Sequence, residues 1–266
     1  MEKEERRLQD ILKKLNSVLV AFSGGVDSTF LLSAAHEVLG DCVLAVTAAS
    51  PVHPRRELSQ ARRLAKRLGV RHRILRSREF DDPRFVGNDP RRCYYCKRGL
   101  FTALLGIAEE EGLAAVVDGS NRDDLDDYRP GAEALRELGI RSPLQEAGLT
   151  KEGIRQLSRR RGLNTWDHPA QACLASRIPY GTELKRGDLE MVERAEEALH
   201  DLGYRQVRVR HHQGGLARIE VDGEDLERLL AGRREVVSAL RDCGYLYVTL
   251  DLQGYRRGSL NEALGP

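Results

Sequence analysis

The stretch AFSGGVDSTF, residues 21–30, constrains the fold of this chain more than any other feature. An apolar run, SVLVAF, leads into a glycine pair, and a helical pattern follows and ends at Gly40. Glycines let the backbone approach an anion closely, and the first turn of a helix directs N–H groups towards it. The pattern therefore predicts a strand, an anion-binding loop and a helix.

The polar side chains of this loop indicate the kind of anion. Ser23 and Ser28 add hydroxyl donors, whereas Asp27 would repel a phosphate unless a cation lay between them. The loop therefore predicts a phosphate group bound together with Mg²⁺. It is not a Walker A loop, because the glycine spacing differs and no lysine follows the second glycine.

Strand and helix patterns alternate through the first part of the chain. Further strands are predicted at CVLAVTA, RHRIL and LAAVVDGSN, with helices over 54–68 and 93–111. The segment TKEGIRQLSRRRG is predicted to be another helix, with Thr150 as its N-cap. This alternation predicts an α/β domain with a doubly wound parallel sheet in residues 1–180. A smaller α+β domain is expected in residues 181–266, where we predict helix 186–202, strands 206–211, 216–220 and 245–251, and helices within 223–243.

The fourth strand is followed by a cluster of acidic and amide residues. Asp118, Gly119, Asn121, Asp123 and Asp124 lie at its carboxyl end, the edge at which open α/β sheets bind ligands. Carboxylates suit Mg²⁺, but Asp and Asn also cap turns. Both interpretations stay open for each carboxylate.

Three of the five cysteines need a chemical explanation. Cys42 and Cys243 lie in apolar patterns and are predicted to be small core residues. Cys93 and Cys96 form a CxxC pair flanked by arginines and a lysine. Cys173 stands in a non-periodic stretch near an arginine, and a neighbouring cation favours the thiolate.

The cysteines alone leave several interpretations open. A structural zinc site usually has four ligands, often as two local pairs, and the chain has no second CxxC. His53 or His168 would have to complete such a site. A redox pair would leave Cys173 without a task.

Composition narrows the class of protein. The formal net charge is +2, too balanced to indicate nucleic-acid binding by itself. No apolar run reaches 18 residues, and MEKEERRLQD is unlike a signal peptide. We therefore expect a cytoplasmic protein with neither a membrane nor a nucleic acid as partner.

The SGGVDS loop resembles the PP-loop of the N-type ATP pyrophosphatases, which have an adenine nucleotide alpha-hydrolase-like fold. These enzymes cleave ATP between the α and β phosphates and adenylate an acceptor. The resemblance implies that the loop binds pyrophosphate and Mg²⁺, and that residues after the second and fourth strands complete the nucleotide site. The residues so implied are Ser23, Gly24, Gly25, Asp27, Ser28, Thr47, Asp118, Gly119, Asn121 and Asp124.

With RRCYYCKRGLF, DGSNRDD, YRPG, SPL and CLASRIPYG, the chain is similar to the LarE-type ATP-dependent sulfur transferases. The resemblance implies a pyridinium dicarboxylate mononucleotide as substrate, on the route to the nickel-pincer nucleotide of lactate racemase. ATP adenylates a ring carboxylate, sulfur displaces AMP, and a thiocarboxylate results. Cys173 matches the reactive cysteine of this family.

Family members with three cysteines imply further assignments. Cys93, Cys96 and Cys173 would ligate a [4Fe–4S] cluster, whose open iron would hold a sulfide from an unidentified donor. Arg208 and Arg210 alternate along one strand and can clamp a phosphate, although a solvated strand face is the simpler interpretation. The resemblance implies substrate contacts by Arg177, Arg208, Arg210 and Glu220, and a homo-oligomer, often a hexamer.

Other functions stay open at this point. An ATP-dependent amide ligase of the NAD synthetase type would use the same loop but would leave the three cysteines unexplained. A tRNA thiolation enzyme would need an RNA-binding surface, which the low net charge does not favour. A zinc-stabilised nucleotide-binding module without catalytic activity is the third alternative.

Overall fold

A computed structural model describes residues 2–125, 130–169, 172–256 and 258–264. The chain divides into two compact units. Unit 1 comprises Met1–Phe85 and Arg91–Gln171, and unit 2 comprises Val86–Pro90 and Ala172–Pro266. The predicted domain boundary after residue 180 falls inside unit 2. None of the helices in the described ranges has the length and apolar character needed to cross a membrane.

Unit 1 is built on a four-stranded parallel sheet. Its strands are β1 (Val18–Ala21), β2 (Val43–Ala49), β3 (Arg71–Arg76) and β4 (Ala115–Val117), in the order β3-β2-β1-β4. Its helices are α1 (Glu2–Leu15), α2 (Val26–Leu39), α3 (Arg55–Arg67), α4 (Pro83–Val86, which ends in unit 2), α5 (Arg92–Glu110), α6 (Pro130–Glu137), α7 (Pro143–Ala147) and α8 (Lys151–Arg160).

Successive strand residues in unit 1 face two different apolar cores, as expected for a sheet covered on both sides. Val18 and Val20 pack into the core formed with α1, α2, α3 and α8. Leu19, between them, packs into the core formed with α5 and α6. The predicted doubly wound parallel sheet is confirmed.

The strand order places a topological switch point between β1 and β4. The chain leaves β1 through α2 to β2 on one side, and β4 lies on the other side of β1. In open α/β sheets, ligands bind outside the carboxyl ends of the strands at such a point. The two segments there are SGGVDS after β1 and DGSN after β4.

Unit 2 is a smaller α+β unit, as predicted. Its central strand pairs antiparallel on one side and parallel on the other. The helices cover one face, where Val207, Val209, Ile219 and Tyr245 are buried. The elements are α9 (Arg186–Asp201), β5 (Val207–His212), β6 (Leu216–Val221), α10 (Leu226–Ala231), α11 (Arg233–Asp242) and β7 (Tyr247–Leu250).

The prediction that Cys42 is a core residue was wrong. Cys42 is exposed at the end of a 3₁₀ turn, Gly40–Cys42, and β2 begins one residue later. Cys243, in contrast, is buried as predicted. None of the five cysteines forms a disulfide bond.

Candidate active site at the carboxyl edge of the parallel sheet

The SGGVDS loop is held together by its own serines. The hydroxyls of Ser23 and Ser28 share a hydrogen bond of 3.0 Å, and the Ser28 hydroxyl donates to the carbonyl of Gly25 at 3.3 Å. Gly25 is the N-cap of α2, and its carbonyl accepts the Thr29 N–H at 3.0 Å. The loop therefore leads directly into the helix, and the N–H groups of the first helical turn lie at the sheet edge.

Two glycines are required by close packing around this loop. Gly24 has a φ of +78°, and a Cβ there would lie 3.2 Å from Ala61 of α3. A Cβ on Gly119 would lie 3.1 Å from the backbone nitrogen of Ser28. The DGSN segment thus packs against the start of α2, which brings the two predicted nucleotide-binding segments together.

Asp27 forms an ion pair with Lys151, a residue that sequence reasoning missed. Lys151 Nζ lies 2.5 Å from Asp27 Oδ2. Burial raises the pKa of the Asp27 carboxyl, the Lys151 charge acts against this, and the Asp124 charge adds to it. The other oxygen, Asp27 Oδ1, is buried and has no hydrogen-bond partner among the described residues.

The position of Lys151 is fixed by the start of α8. The predicted N-cap, Thr150, is confirmed, because its side chain accepts the Gly153 N–H at 3.2 Å. The backbone N–H of Lys151 donates to Asp123 Oδ2 at 2.8 Å. Asp123 therefore caps the first turn of α8. This contact fixes the start of the helix, and Lys151 at that position reaches Asp27. In sequence, Lys151 resembles any solvated lysine in a first helical turn.

Asp118 and Thr47 are both engaged within unit 1. The carboxylate of Asp118 accepts hydroxyl hydrogen bonds from Ser120 at 2.5 Å and from Ser142 at 2.6 Å. Thr47 donates to the carbonyl of Phe22 at 2.6 Å, which links the end of β2 to the end of β1. Both residues thus brace the sheet edge, and their contacts with nucleotide stay predictions.

The residues around Asp27 suit a magnesium ion. Mg²⁺ binds oxygen ligands, typically one or two carboxylates together with phosphate oxygens. Asp27 Oδ1 is a buried carboxylate oxygen with no hydrogen-bond partner in the described ranges, and the negative charge of Asp124 contributes to the raised pKa of Asp27. Asp27 is therefore suited to bind Mg²⁺ beside a bound pyrophosphate.

Cys93 and Cys96 lie in the first two turns of α5, in unit 1. Residues three apart on a helix are neighbours on one face, and the positive end of the helix dipole favours thiolates. Thiolate pairs of this kind suit iron or zinc. Within the described ranges, no group of three or more His, Cys, Asp and Glu side chains is assembled to hold a metal ion.

Cys173 lies in unit 2, immediately before a 3₁₀ turn, Leu174–Arg177. Its carbonyl accepts the Ser176 N–H at 3.0 Å and the Ser176 hydroxyl at 2.8 Å. The segment Ala172–Arg177, named here the cysteine loop, is therefore an ordered turn. Tyr128 and Arg129 of the YRPG motif lie outside the described residues. Ala170 and Gln171, which directly precede the cysteine loop, lie outside them as well.

The arginines predicted to contact substrate are buried in unit 2. Arg208 and Arg210 are 8% and 6% exposed, so the solvated strand face was the wrong interpretation. Arg210 forms a bidentate pair with Glu220, and Arg177 forms one with Glu196. Burial and the neighbouring Arg177 charge lower the pKa of Arg208. Substrate contacts by these residues stay predictions.

A parallel sheet with SGGVDS at its switch point, and with a half-buried aspartate paired to a lysine, defines a nucleotide-binding protein of the PP-loop class. Residues 8–84 match the asparagine synthase family. The chain is 29% identical over 161 residues to argininosuccinate synthase of Natronomonas pharaonis, covering 56% of this chain and 40% of that protein.

Relatives of higher identity match along nearly the whole chain. An uncharacterized protein of Synechocystis sp. is 43% identical over 266 residues, which is 99% of each chain. Pyridinium-3,5-bisthiocarboxylic acid mononucleotide synthase of Lactiplantibacillus plantarum is 41% identical over 254 residues, covering 95% of this chain and 92% of that protein. The chain belongs to the LarE-type family of ATP-dependent sulfur transferases.

Proposed function

We propose that this protein uses ATP to adenylate a carboxylate of a pyridinium dicarboxylate mononucleotide and then inserts sulfur, as a step in making the nickel-pincer nucleotide. The observation that carries this proposal is the 41% identity to the pyridinium-3,5-bisthiocarboxylic acid mononucleotide synthase over 95% of the chain. The geometry of the SGGVDS loop and the Asp27–Lys151 pair supports the ATP-dependent half of the reaction.

The first step is attack by a substrate carboxylate oxygen on the α-phosphorus of ATP. The bond from that phosphorus to the bridging oxygen breaks, and pyrophosphate leaves with the electron pair. The N–H groups at the start of α2 and the hydroxyls of Ser23 and Ser28 bind the pyrophosphate. Lys151 supplies a cation where negative charge accumulates. Asp27 would hold Mg²⁺, which neutralises phosphate charge when bound.

In the second step, sulfur attacks the acyl carbon, the bond from that carbon to the AMP oxygen breaks, and AMP leaves. We assign Cys173 as the residue that bears or ligates this sulfur, because a thiolate is the strongest common protein nucleophile at neutral pH. Cys93, Cys96 and Cys173 would together hold a [4Fe–4S] cluster, which supplies a labile sulfide when bound. The sulfide donor, a cytoplasmic location and a hexameric assembly stay expectations from the family resemblance.

One assay tests the reaction. The protein is incubated anaerobically with ATP, Mg²⁺, sulfide and one acceptor at a time: the pyridinium dicarboxylate mononucleotide, nicotinic acid adenine dinucleotide with ammonia, or tRNA. We expect AMP, pyrophosphate and a sulfur mass gain on the pyridinium mononucleotide. Amide formation or tRNA thiolation, without sulfur gain on the mononucleotide, would contradict the proposal.

The role of Cys173 is tested by Cys173→Ala, with Cys42→Ala as the matched control because Cys42 is exposed in a turn of unit 1. We expect sulfur transfer to be lost in the first variant and kept in the second. Cys173→Ala with a normal rate of transfer would refute the assignment.

The cluster has its own test. After anaerobic reconstitution, we expect iron and sulfide to bind, with an absorption spectrum typical of [4Fe–4S]. Cys93→Ser and Cys96→Ser should lose iron, whereas Cys243→Ser, at a buried position in unit 2, should keep it. Stoichiometric zinc without iron in the wild-type protein would contradict the cluster proposal.

A further inference from the structure

The backbone carbonyls of the cysteine loop are bound by two buried arginines of unit 2. Arg177 Nη1 donates to the carbonyls of Ala172 at 2.7 Å and Cys173 at 3.2 Å. Arg210 Nη1 donates to the carbonyl of Ser176 at 2.7 Å. A guanidinium group therefore holds each end of the loop that carries the reactive cysteine.

Each of these arginines is itself fixed by a buried glutamate. Arg177 Nε and Nη2 donate to the two carboxylate oxygens of Glu196 at 2.8 and 2.9 Å. Arg210 pairs in the same bidentate way with Glu220, at 2.9 and 2.7 Å. A bidentate pair sets the plane as well as the position of the guanidinium group. The third nitrogen of each arginine is thereby aimed at the loop.

Glu196 connects the loop to the rest of unit 2. Its Oε1 also accepts the backbone N–H of Val209, so this one carboxylate of α9 holds both Arg177 and the strand β5. Burial acts to raise the pKa of Glu196, but the charges of Arg177 and Arg208 outweigh it, and the pKa is lowered. Glu196 is therefore ionised at neutral pH and serves as a charged anchor.

Stability alone gives little reason for such a pair. Replacing a buried ion pair by apolar residues of similar volume is often neutral or stabilising, because desolvation of two charges offsets their attraction. The side chains of Arg177 and Glu196 are 3% and 4% exposed, so this desolvation is nearly complete. What the pair supplies, and an apolar pair would not, is the hydrogen bonds to the carbonyls of Ala172 and Cys173.

We infer that Arg177 and Glu196 are positioning residues for the Cys173 thiol, acting through the backbone of the cysteine loop. All three guanidinium nitrogens of Arg177 donate to groups of unit 2. The inference rests on the proposed role of Cys173 in sulfur transfer.

The test variant is Arg177→Met with Glu196→Met, which removes both charges together and leaves neither buried alone. Arg228→Met with Asp225→Leu is the control in the same unit, at a more exposed position. Arg228 also pairs with a carboxylate, Asp225, at 3.3 Å, and also donates to two loop carbonyls, those of Leu202 and Gly203. Both variants are measured in single-turnover sulfur transfer from the reconstituted protein.

In the test variant, we expect the single-turnover rate constant to fall about a hundredfold, the loss that a small misplacement of a reacting group causes. The amplitude, the melting temperature and the KM for ATP should stay at wild-type values. The control variant should keep the wild-type rate constant. If the Arg177–Glu196 pair served folding alone, the test variant would instead lose amplitude and melting temperature. An unchanged rate constant in the test variant would overturn the inference.

A second variant covers failure of the first to fold. Arg177→Lys keeps a positive charge opposite Glu196 but loses the planar fork that binds the carboxylate and the loop carbonyls together, and it should still lower the rate constant at full amplitude. The two proposals are separable: if Cys173→Ala transfers sulfur normally, the proposed function fails. If Cys173→Ala is inactive while both Arg177 variants have the wild-type rate constant, only the positioning role fails.

Discussion

Lys151 Nζ lies 2.5 Å from Asp27 Oδ2, although 124 residues separate the two along the chain. Asp27 is in the first turn of the helix that follows β1, and Lys151 is the first residue of α8. The pair places one positive and one negative charge beside the anion-binding loop. Asp27, whose charge repels phosphate, is therefore paired with Lys151, whose charge attracts it. Both lie where the ATP-dependent step is proposed to occur.

Asp27→Asn should lower the rate of AMP and pyrophosphate formation about a hundredfold or more, because the amide is a poor ligand for Mg²⁺. The rate is measured at saturating ATP and Mg²⁺. Asp41→Asn, an exposed aspartate in the 3₁₀ turn after α2, is the control and should keep the wild-type rate. A normal rate in Asp27→Asn would contradict the metal-binding role.

The same substitution should change stability in a pH-dependent way. The folded-state pKa of Asp27 is raised above its ordinary value of 3.8, so the folded chain binds more protons than the unfolded chain just above that pH. Wild-type stability is therefore lost as pH rises through this window. The melting temperature of Asp27→Asn minus that of wild type should increase as pH rises from about 4 and then level off. A difference that falls with pH would contradict the raised pKa.

Lys151→Gln should reduce AMP formation by about a hundredfold, because a preorganised cation beside the leaving pyrophosphate is lost. Lys151→Arg should recover part of the rate, since it keeps the charge but changes its geometry. Lys66→Gln, in the last turn of α3 and exposed, is the control. If Lys151→Gln has the same kcat and KM for ATP as this control, Lys151 has no part in the reaction.

Gly119→Ala should destabilise the protein and weaken ATP binding. Its Cβ would press against the backbone of Ser28 at 3.1 Å, and overpacking of this kind costs about 1–3 kcal/mol. Gly106→Ala is the control, because its added Cβ would have no neighbour within 4 Å outside the backbone of its own helix, at an exposed position in the C-terminal part of α5. This control should stabilise by up to about 1 kcal/mol. Urea unfolding measures the change in stability, and ATP titration measures the change in affinity. Equal stability and equal ATP affinity of the two variants would contradict the close contact between Gly119 and the Ser28 backbone.

Glu196→Gln should alter acid stability. Because the folded-state pKa of Glu196 is lowered from its ordinary value of 4.5, ionised Glu196 stabilises the fold above that pH, and this contribution is lost as pH falls below it. The stability difference between wild type and Glu196→Gln should therefore be largest near neutral pH and shrink below about pH 4.5. Unfolding measured from pH 7 to pH 3 checks this, and a constant difference would contradict it.

Much of the fold was predictable because its signals are local. The apolar runs before SGGVDS and DGSN predicted buried strands, and the periodic segments predicted helices to within a few residues. Thr150 was predicted as an N-cap from its position before a helical pattern, and it caps α8. Cys42 was misjudged because the apolar run that follows it does not reveal that the strand begins one residue later.

The amino-acid sequence by itself determined the phosphate-binding loop, the parallel sheet and the family, since strand and helix periods and short motifs are encoded by neighbouring residues. Only the tertiary structure decided which charges meet. In the sequence, Lys151 is indistinguishable from a solvated helix residue, and only the packing of α8 beside Asp27 reveals the ion pair. Arg177 and Glu196 looked like separate polar positions until the cysteine loop and α9 were brought together. A charge removed from water is stabilised by an opposite charge close to it in space. Residues far apart in the sequence can supply that charge, so no local sequence pattern predicts the pairing.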